Sequence, residues 1–422
     1  MNKITINEAV KKSLQLKAQG YPTSMLGIGP MSFNLIRATI QLGKEKDCPI
    51  MFIASRNQID AGQFGYGYVC GWDQKTFVDN IKKIAEEEKF DGLCYICRDH
   101  GGPWQRDKER NDHIPEQDAM KIAVESYIED IKAGFDLLHI DPTKDPFEMG
   151  KVIPLDTVLS RTVYLIETVE KERISLGLPA IAYEVGTEET NGGLTDMGTY
   201  ESFIIRLTEM LDEKNLPHPI FIVGQTGTLT RKTENVGHYS IENAIKLSDI
   251  ANKYNVGVKE HNGDYLSDSI LLTHLASGVT AVNVAPEYGT AETLAFLQLC
   301  DVEDDLVENG LLETPSNLRK TLTEHAIKCG RWKKWMLEDQ KNLTVEEIFK
   351  DADLCYEILT IAGHYTFNDE EVKKETEVLY QNLKKNGIDG NRYVVNAIKR
   401  SIGRYFEDLN LEGLTTKLLE IK

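Results

Sequence analysis

Short apolar runs alternate with longer amphipathic ones along most of the chain. The runs with strand character are SMLGIGPM (24–31), PIMFIAS (49–55), LCYICRD (93–99), LLHIDP (137–142), IAYEVGTE (181–188), PIFIVGQT (219–226), VGVKEHN (256–262) and TAVNVAP (280–286). A segment with helical periodicity follows each, such as KTFVDNIKKIAEEEK, AMKIAVESYIEDIKAG and IENAIKLSDIANKYN. Eight such units in succession predict an α/β fold, a TIM (β/α)₈ barrel over residues 23–310. An open doubly wound sheet usually has fewer units. The opening MNKITINEAVKKSLQLKAQG reads as an amphipathic helix within residues 1–22, and residues 311–422 read as a helical C-terminal extension with no further strands. Such an extension serves as a lid, an oligomerisation element or simple packing.

Composition narrows the partners. The 422 residues carry a formal net charge of −19, with 41% hydrophobic and 27% charged residues. A chain this acidic is repelled by nucleic acid and by anionic membrane surfaces, although a local basic pocket for a phosphate or carboxylate remains open. No run of about 18 apolar residues predicts a membrane span, and the first helix lacks the apolar core and cleavage site of a signal peptide. Seven cysteines are scattered, and the Cys94/Cys97 pair sits in a strand pattern, so these read as core thiols in a reducing cytoplasm.

In a TIM barrel the site is built at the C-terminal ends of the strands, and polar residues collect there. Strand 2 ends in Arg56-Asn57-Gln58 and strand 3 in Asp99-His100-Gly101-Gly102. Strand 4 ends in His139-Ile140-Asp141, and strand 5 carries Glu184 and runs on to Glu188. Gln225 ends strand 6 ahead of a loop with His238, strand 7 ends in Glu260-His261-Asn262, and strand 8 holds Asn283. Neutral imidazoles and carboxylates are donors for a divalent metal, zinc first, with manganese or magnesium as alternatives. His100, His238 and His261 are the candidate ligands. Asp99 is the candidate proton carrier beside them, and Glu188 is a second catalytic carboxylate or replacement ligand. Glu184 shares its face deeper in the barrel and is expected, with Asp141, to support the ligands from behind. Arg56, Asn57, Gln58, Gln225, Asn262 and Asn283 are the candidate substrate readers. Read alone, Asp99 and His100 should point to opposite sides of a continuing strand, unless Gly101 and Gly102 free the backbone to turn. His139, one residue inside its strand, reads as a core histidine. Trp72 and Trp104 suit either a sugar floor or packing, and the Trp332/Trp335 stripe reads as helix packing.

These segments resemble the class II ketose-bisphosphate aldolases, and more closely the Z-subunit family of tagatose-1,6-bisphosphate aldolase. RDHGG, NVGHYS and KEHNGDY carry the general likeness. ASRNQIDAGQFGYGYVCGW, DHGGPW, AGFDLLHID, YEVGTEETNGG and RWKKWM carry the closer one, in that family's order. The resemblance implies Asp99 as acid/base, with His100, His238 and His261 on zinc. It also implies either a metal-dependent enzyme or a noncatalytic subunit that stabilises a Y-type aldolase subunit. The enzyme would act on a ketose or ketose phosphate, by C4 epimerisation or reversible aldol cleavage at C3–C4. A homo-oligomer is a further assembly option.

The chain departs from the aldolase pattern where that pattern binds phosphate. HNGDYLSD brings Asp264 and Asp268 after strand 7, and NVAPEYGT brings Glu287 after strand 8. Acidic side chains there repel a phosphate unless they point away, which opens a hexuronate (tagaturonate/fructuronate) 4-epimerase as an alternative. GQTGTLTRK (224–232), with Arg231 and Lys232, is a substitute anion cradle.

Overall fold

A computed structural model describes residues 3–148, 150–187, 193–336 and 338–421. Eight parallel strands close into a barrel in chain order: β1 (Met25–Ile28), β2 (Ile50–Ser55), β3 (Cys94–Gly101), β4 (Leu137–Ile140), β5 (Ala182–Gly186), β6 (Phe221–Val223), β7 (Gly257–Glu260) and β8 (Ala281–Val284). Seven lie inside their apolar runs and β3 extends two residues past the end of LCYICRD (93–99), and a helix follows every strand, from Phe33–Lys46 after β1 to Pro286–Glu308 after β8. The runs lack alternation because a parallel barrel strand is covered on both faces, by the barrel interior and by the helix layer. The first helix, Ile6–Ala18, starts on a capping box in which Thr5 and Glu8 satisfy each other's backbone donors. No helix among the described residues is long and apolar enough to cross a membrane, and none of the seven cysteines is in a disulfide.

The C-terminal helices, chiefly Leu318–Lys328, Ala352–Ala362, Glu370–Lys385 and Gly390–Asp408, pack on the β8–β1–β2 flank. Their buried Leu322, Ile358, Leu379 and Ile398 belong to the same apolar cluster as Ile28, Phe52 and Ile36 of the barrel. Polar ties reinforce this seam: the Tyr405 hydroxyl lies 3.0 Å from the Gly263 carbonyl and against the Glu287 carboxylate. At the same seam Glu292 is buried, accepting hydrogen bonds from Ser32 and Asn34 and forming no ion pair among the described residues. Burial pushes its carboxyl up to about 7. The folded state therefore holds this proton where the unfolded chain has lost it, so stability from this site is full at low pH and falls as pH rises towards 7. Relative to wild type, Glu292→Gln is expected to gain stability by up to about 1.4 kcal/mol per pH unit across that window. Urea midpoints of both proteins at pH 5 and pH 8 check this; parallel pH dependences would refute it.

One irregularity sets the site. The β3–β4 register runs Arg98↔Leu138 and then Gly101↔Ile140, so β3 carries an extra residue, a bulge. His100 sits in it at φ +41°, where non-glycine side chains are uncommon. Gly102 follows at φ +128°, where a Cβ would stand 2.5 Å from the Asp141 carbonyl oxygen. The strand thus continues to Gly101, yet the bulge brings both Asp99 and His100 to the mouth, with His100 Nε2 3.9 Å from Asp99 Oδ2. Arg98, one residue earlier, faces outward and binds Asp130 of the Glu116–Ala133 helix.

Candidate active site

A cavity of about 370 Å³ opens at the C-terminal end of the barrel. Asp99, His100, His139 and His261 meet in it, with one donor atom from each within 4.8 Å of all the others. Two of the three imidazoles, His100 and His261, are held from behind by carboxylates, while His139 Nδ1 accepts from the His100 backbone N–H at 3.1 Å. His100 Nδ1 lies 2.7 Å from Asp141 Oδ2, and Asp141 is itself held by Thr143. His261 Nε2 lies 2.9 Å from Glu184 Oε1, whose other oxygen accepts from Lys259 Nζ at 2.6 Å inside the barrel. Carboxylate partners of this kind fix the tautomer and leave the opposite ring nitrogen as the donor to the centre. Those opposite nitrogens, His100 Nε2 and His261 Nδ1, stand 3.1 Å apart. Their lone pairs repel unless a proton or a cation lies between them. This donor set, three imidazoles and a carboxylate around one point, fits a divalent metal of the zinc type.

Charge follows the same layout. Burial pushes the Asp99 carboxyl up, but the His100 and His261 rings outweigh it and hold the group well below the usual carboxylate range. Burial also opposes ionisation of Glu184, yet Lys259 and the neighbouring imidazoles bring it down to about 2. For His261, burial wins over Asp99 and Glu184 and favours the neutral ring, while for His100 the two aspartates overcome burial and raise it. Asn283 on β8 donates Nδ2 to Asp99 Oδ1 at 3.1 Å, fixing the carboxylate. Its neighbour in register, Gly27 on β1, must lack a side chain, because a Cβ there would stand 2.2 Å from Asn283 Oδ1.

Asp99, His100, His261, Asp141, Asn262, Asn283 and Gln58 line the cavity, and Glu184 lies beneath it. Four other expectations need correction. His238 is exposed on the arm after β6, held there by its backbone bond to Gly227, and does not join the cluster; His139 of β4 takes the third imidazole place. Arg56 is buried and bound to Asp60, Glu109 and the Gly102 carbonyl, so it braces the loop after β3 and does not face a substrate. Asn57 likewise holds that loop through Gln105 and Asp107. Gln225 is buried outside the cavity lining, its backbone tied to Thr195 and Asn243. Glu188 lies outside the described residues. Trp104 is fully buried under Arg161, and Trp72 packs on Phe33 and Phe77, so neither floors the site. The sequence reading also missed the tail: Lys334, Trp335, His364 and Tyr365 line the same cavity. Its one visible signal was RWKKWM, read there as helix packing.

The family model described as D-tagatose-1,6-bisphosphate aldolase subunit GatZ/KbaZ-like matches residues 10–394. No curated protein matches the chain. Among solved structures, a probable tagatose 6-phosphate kinase from Sinorhizobium meliloti 1021 superposes with a TM-score of 0.73 at 18% identity, covering 91% of this chain and 100% of that one. A fructose-bisphosphate aldolase from Campylobacter jejuni gives 0.55 at 13% identity, over 97% and 96% of the two chains. A glycerol-complexed fructuronate-tagaturonate epimerase from Cohnella laeviribosi gives 0.56 at 11% identity, over 93% and 82%. At these identities the three superpositions show a shared barrel fold.

Proposed function

The chain belongs to the GatZ/KbaZ-like family of D-tagatose-1,6-bisphosphate aldolase subunits, and from that premise we propose that it is itself a metal-dependent sugar enzyme. Its substrate is a ketose or ketose phosphate of the tagatose/fructose type, and its reaction is C4 epimerisation or reversible aldol cleavage at C3–C4. The observation that carries this reading is the Asp99 carboxylate set among three imidazoles at the cavity floor. A scaffold has no need of a buried carboxylate anchored by Asn283 and aimed at a cavity.

His100, His139 and His261 would hold the metal, with Asp99 at its edge. When bound, a divalent metal supplies positive charge that polarises a sugar carbonyl. The chain's own part is proton transfer. Asn283 fixes Asp99 Oδ1, leaving Oδ2 to take the proton from the C4 hydroxyl. The C4–O bond then becomes the aldehyde carbonyl, C3–C4 breaks, and its electron pair passes through C3–C2 to the C2 oxygen. Rotation of the aldehyde and return of the proton from Asp99 rejoin the bond with C4 inverted; departure of the aldehyde completes cleavage.

The word subunit in the family description supports a second reading, a noncatalytic partner of a Y-type aldolase subunit. Purified protein alone, with zinc, manganese or magnesium, is to be assayed on ketohexoses, their phosphates and hexuronates. Turnover of a ketose or ketose phosphate supports the first reading, and turnover of hexuronates alone moves the substrate to the uronate class. Silence on the whole panel, with activity appearing only on adding a Y-type subunit, establishes the noncatalytic reading.

A further inference from the structure

The usual barrel phosphate site, where the loops after β7 and β8 meet a helix N-terminus, is filled here by the protein's own acid. Asp264 Oδ1 accepts from the Ala285 and Glu287 backbone N–H groups at 2.9 Å each, at the start of the Pro286–Glu308 helix. Glu287 closes the neighbouring donor, Tyr265 N. The acids therefore point into the phosphate position. The two cations of the substitute cradle after β6 are also engaged elsewhere, because Lys232 pairs with Glu357 of the tail at 2.6 Å and Arg231 is exposed outside the cavity lining.

The same cavity also carries groups of the opposite character. Lys334 lines it and has no carboxylate partner among the described residues, and the Arg331 guanidinium lies against both the Tyr68 and Tyr365 rings, 4.7 and 5.1 Å from their centroids. Arg331's nearest acid is Asp107, 3.8 Å away. His364 is 2% exposed, and both its ring nitrogens are buried without a hydrogen-bond partner among the described residues. A fold rarely leaves such groups unmet without a ligand to meet them. The ring is seated by design of its surroundings: a Cβ on Gly289 would stand 2.6 Å from His364 Cγ. The Thr230 hydroxyl, also in the cavity lining, is buried without a hydrogen-bond partner among the described residues.

We infer that Lys334 and His364 of the helical tail, with Thr230, bind the anionic end of the sugar, a phosphate monoester or a carboxylate. This rests on the proposed reading of the cavity as a sugar site, but it is tested without turnover. The full chain, stripped of metal and labelled with ¹⁵N-histidine, is titrated with inorganic phosphate and, separately, with acetate. The His364 imidazole signal, identified by its loss in His364→Gln, should shift saturably with at least one anion. Lys334→Met should weaken that affinity about tenfold or more, and Lys334→Arg should restore most of it. The tighter anion identifies the end group as phosphate or carboxylate. A His364 signal unmoved by both anions, or equal affinity in wild type and Lys334→Met, overturns the inference. A protein that binds phosphate through these residues yet turns over no sugar would leave the inference standing and remove the enzyme reading.

Discussion

Asp99→Asn is expected to lower turnover by about 10²–10⁴-fold, the range for loss of a positioned acid/base, while metal content stays at the wild-type level. The substitution keeps the shape of the site, because the asparagine carbonyl can still accept from Asn283 Nδ2. What it removes is the charge held down by His100 and His261 and the oxygen that receives the proton. His261→Ala provides the contrast. It removes the ring that Glu184 orients, so metal should be lost together with activity. Elemental analysis of both purified variants, with steady-state rates on whichever sugar the panel identifies, checks the pair. Turnover of Asp99→Asn within about tenfold of wild type would place the base elsewhere.

The largest stability loss is expected from Arg98→Met. The guanidinium is fully buried, forks onto Asp130 and donates to the Ala54 and Ile59 carbonyls. Burial pushes the Asp130 carboxyl up, and Arg98 is the chief group opposing this. Methionine replaces the apolar stem but leaves a carboxyl and two carbonyls unpaired between strand and helix. Breaking such a pair costs about 3–5 kcal/mol. The double variant Arg98→Met/Asp130→Leu should recover most of that, since the penalty lies in the stranded acid and not in the absent attraction. Urea unfolding of the single and double variants measures both numbers, and a single-variant loss below about 1 kcal/mol would show the acid finds another partner.

The barrel was legible because eight apolar runs alternate with helical periods, and both signals are local. The strand-end rule also placed Asp99, His100, His261, Asp141 and Glu184 around one cavity. It failed where position on the strand was insufficient. His139 lies one step inside β4 and reads as core, yet it sits in register with Glu184 on the inward face, beside His100 and His261, with ring centroids at 5.4 and 5.1 Å. His238 follows a strand end, yet a two-stranded arm, Thr230–Arg231 with Glu234–Asn235, carries it away. Arg56 looked like a substrate reader because charge at a strand end usually faces solvent or ligand. Here Asp60 and Glu109, 4 and 53 residues away, enclose it. The tail's share was invisible for a simpler reason: Lys334 and His364 share the cavity lining with residues as distant in sequence as Met31, and no local period encodes that.

The extra residue in β3 makes this site a matter of count as well as identity. Deleting one residue at 100 or 101 would bring the strand back into phase with β4 and relieve the left-handed backbone at His100. The edited strand would be the more regular one, and it could no longer present two adjacent side chains to the same point. Drift towards a smoother barrel and retention of the chemistry therefore pull this strand in opposite directions. An unbroken β3 ladder in a homologous chain would mark a lineage without the proposed reaction.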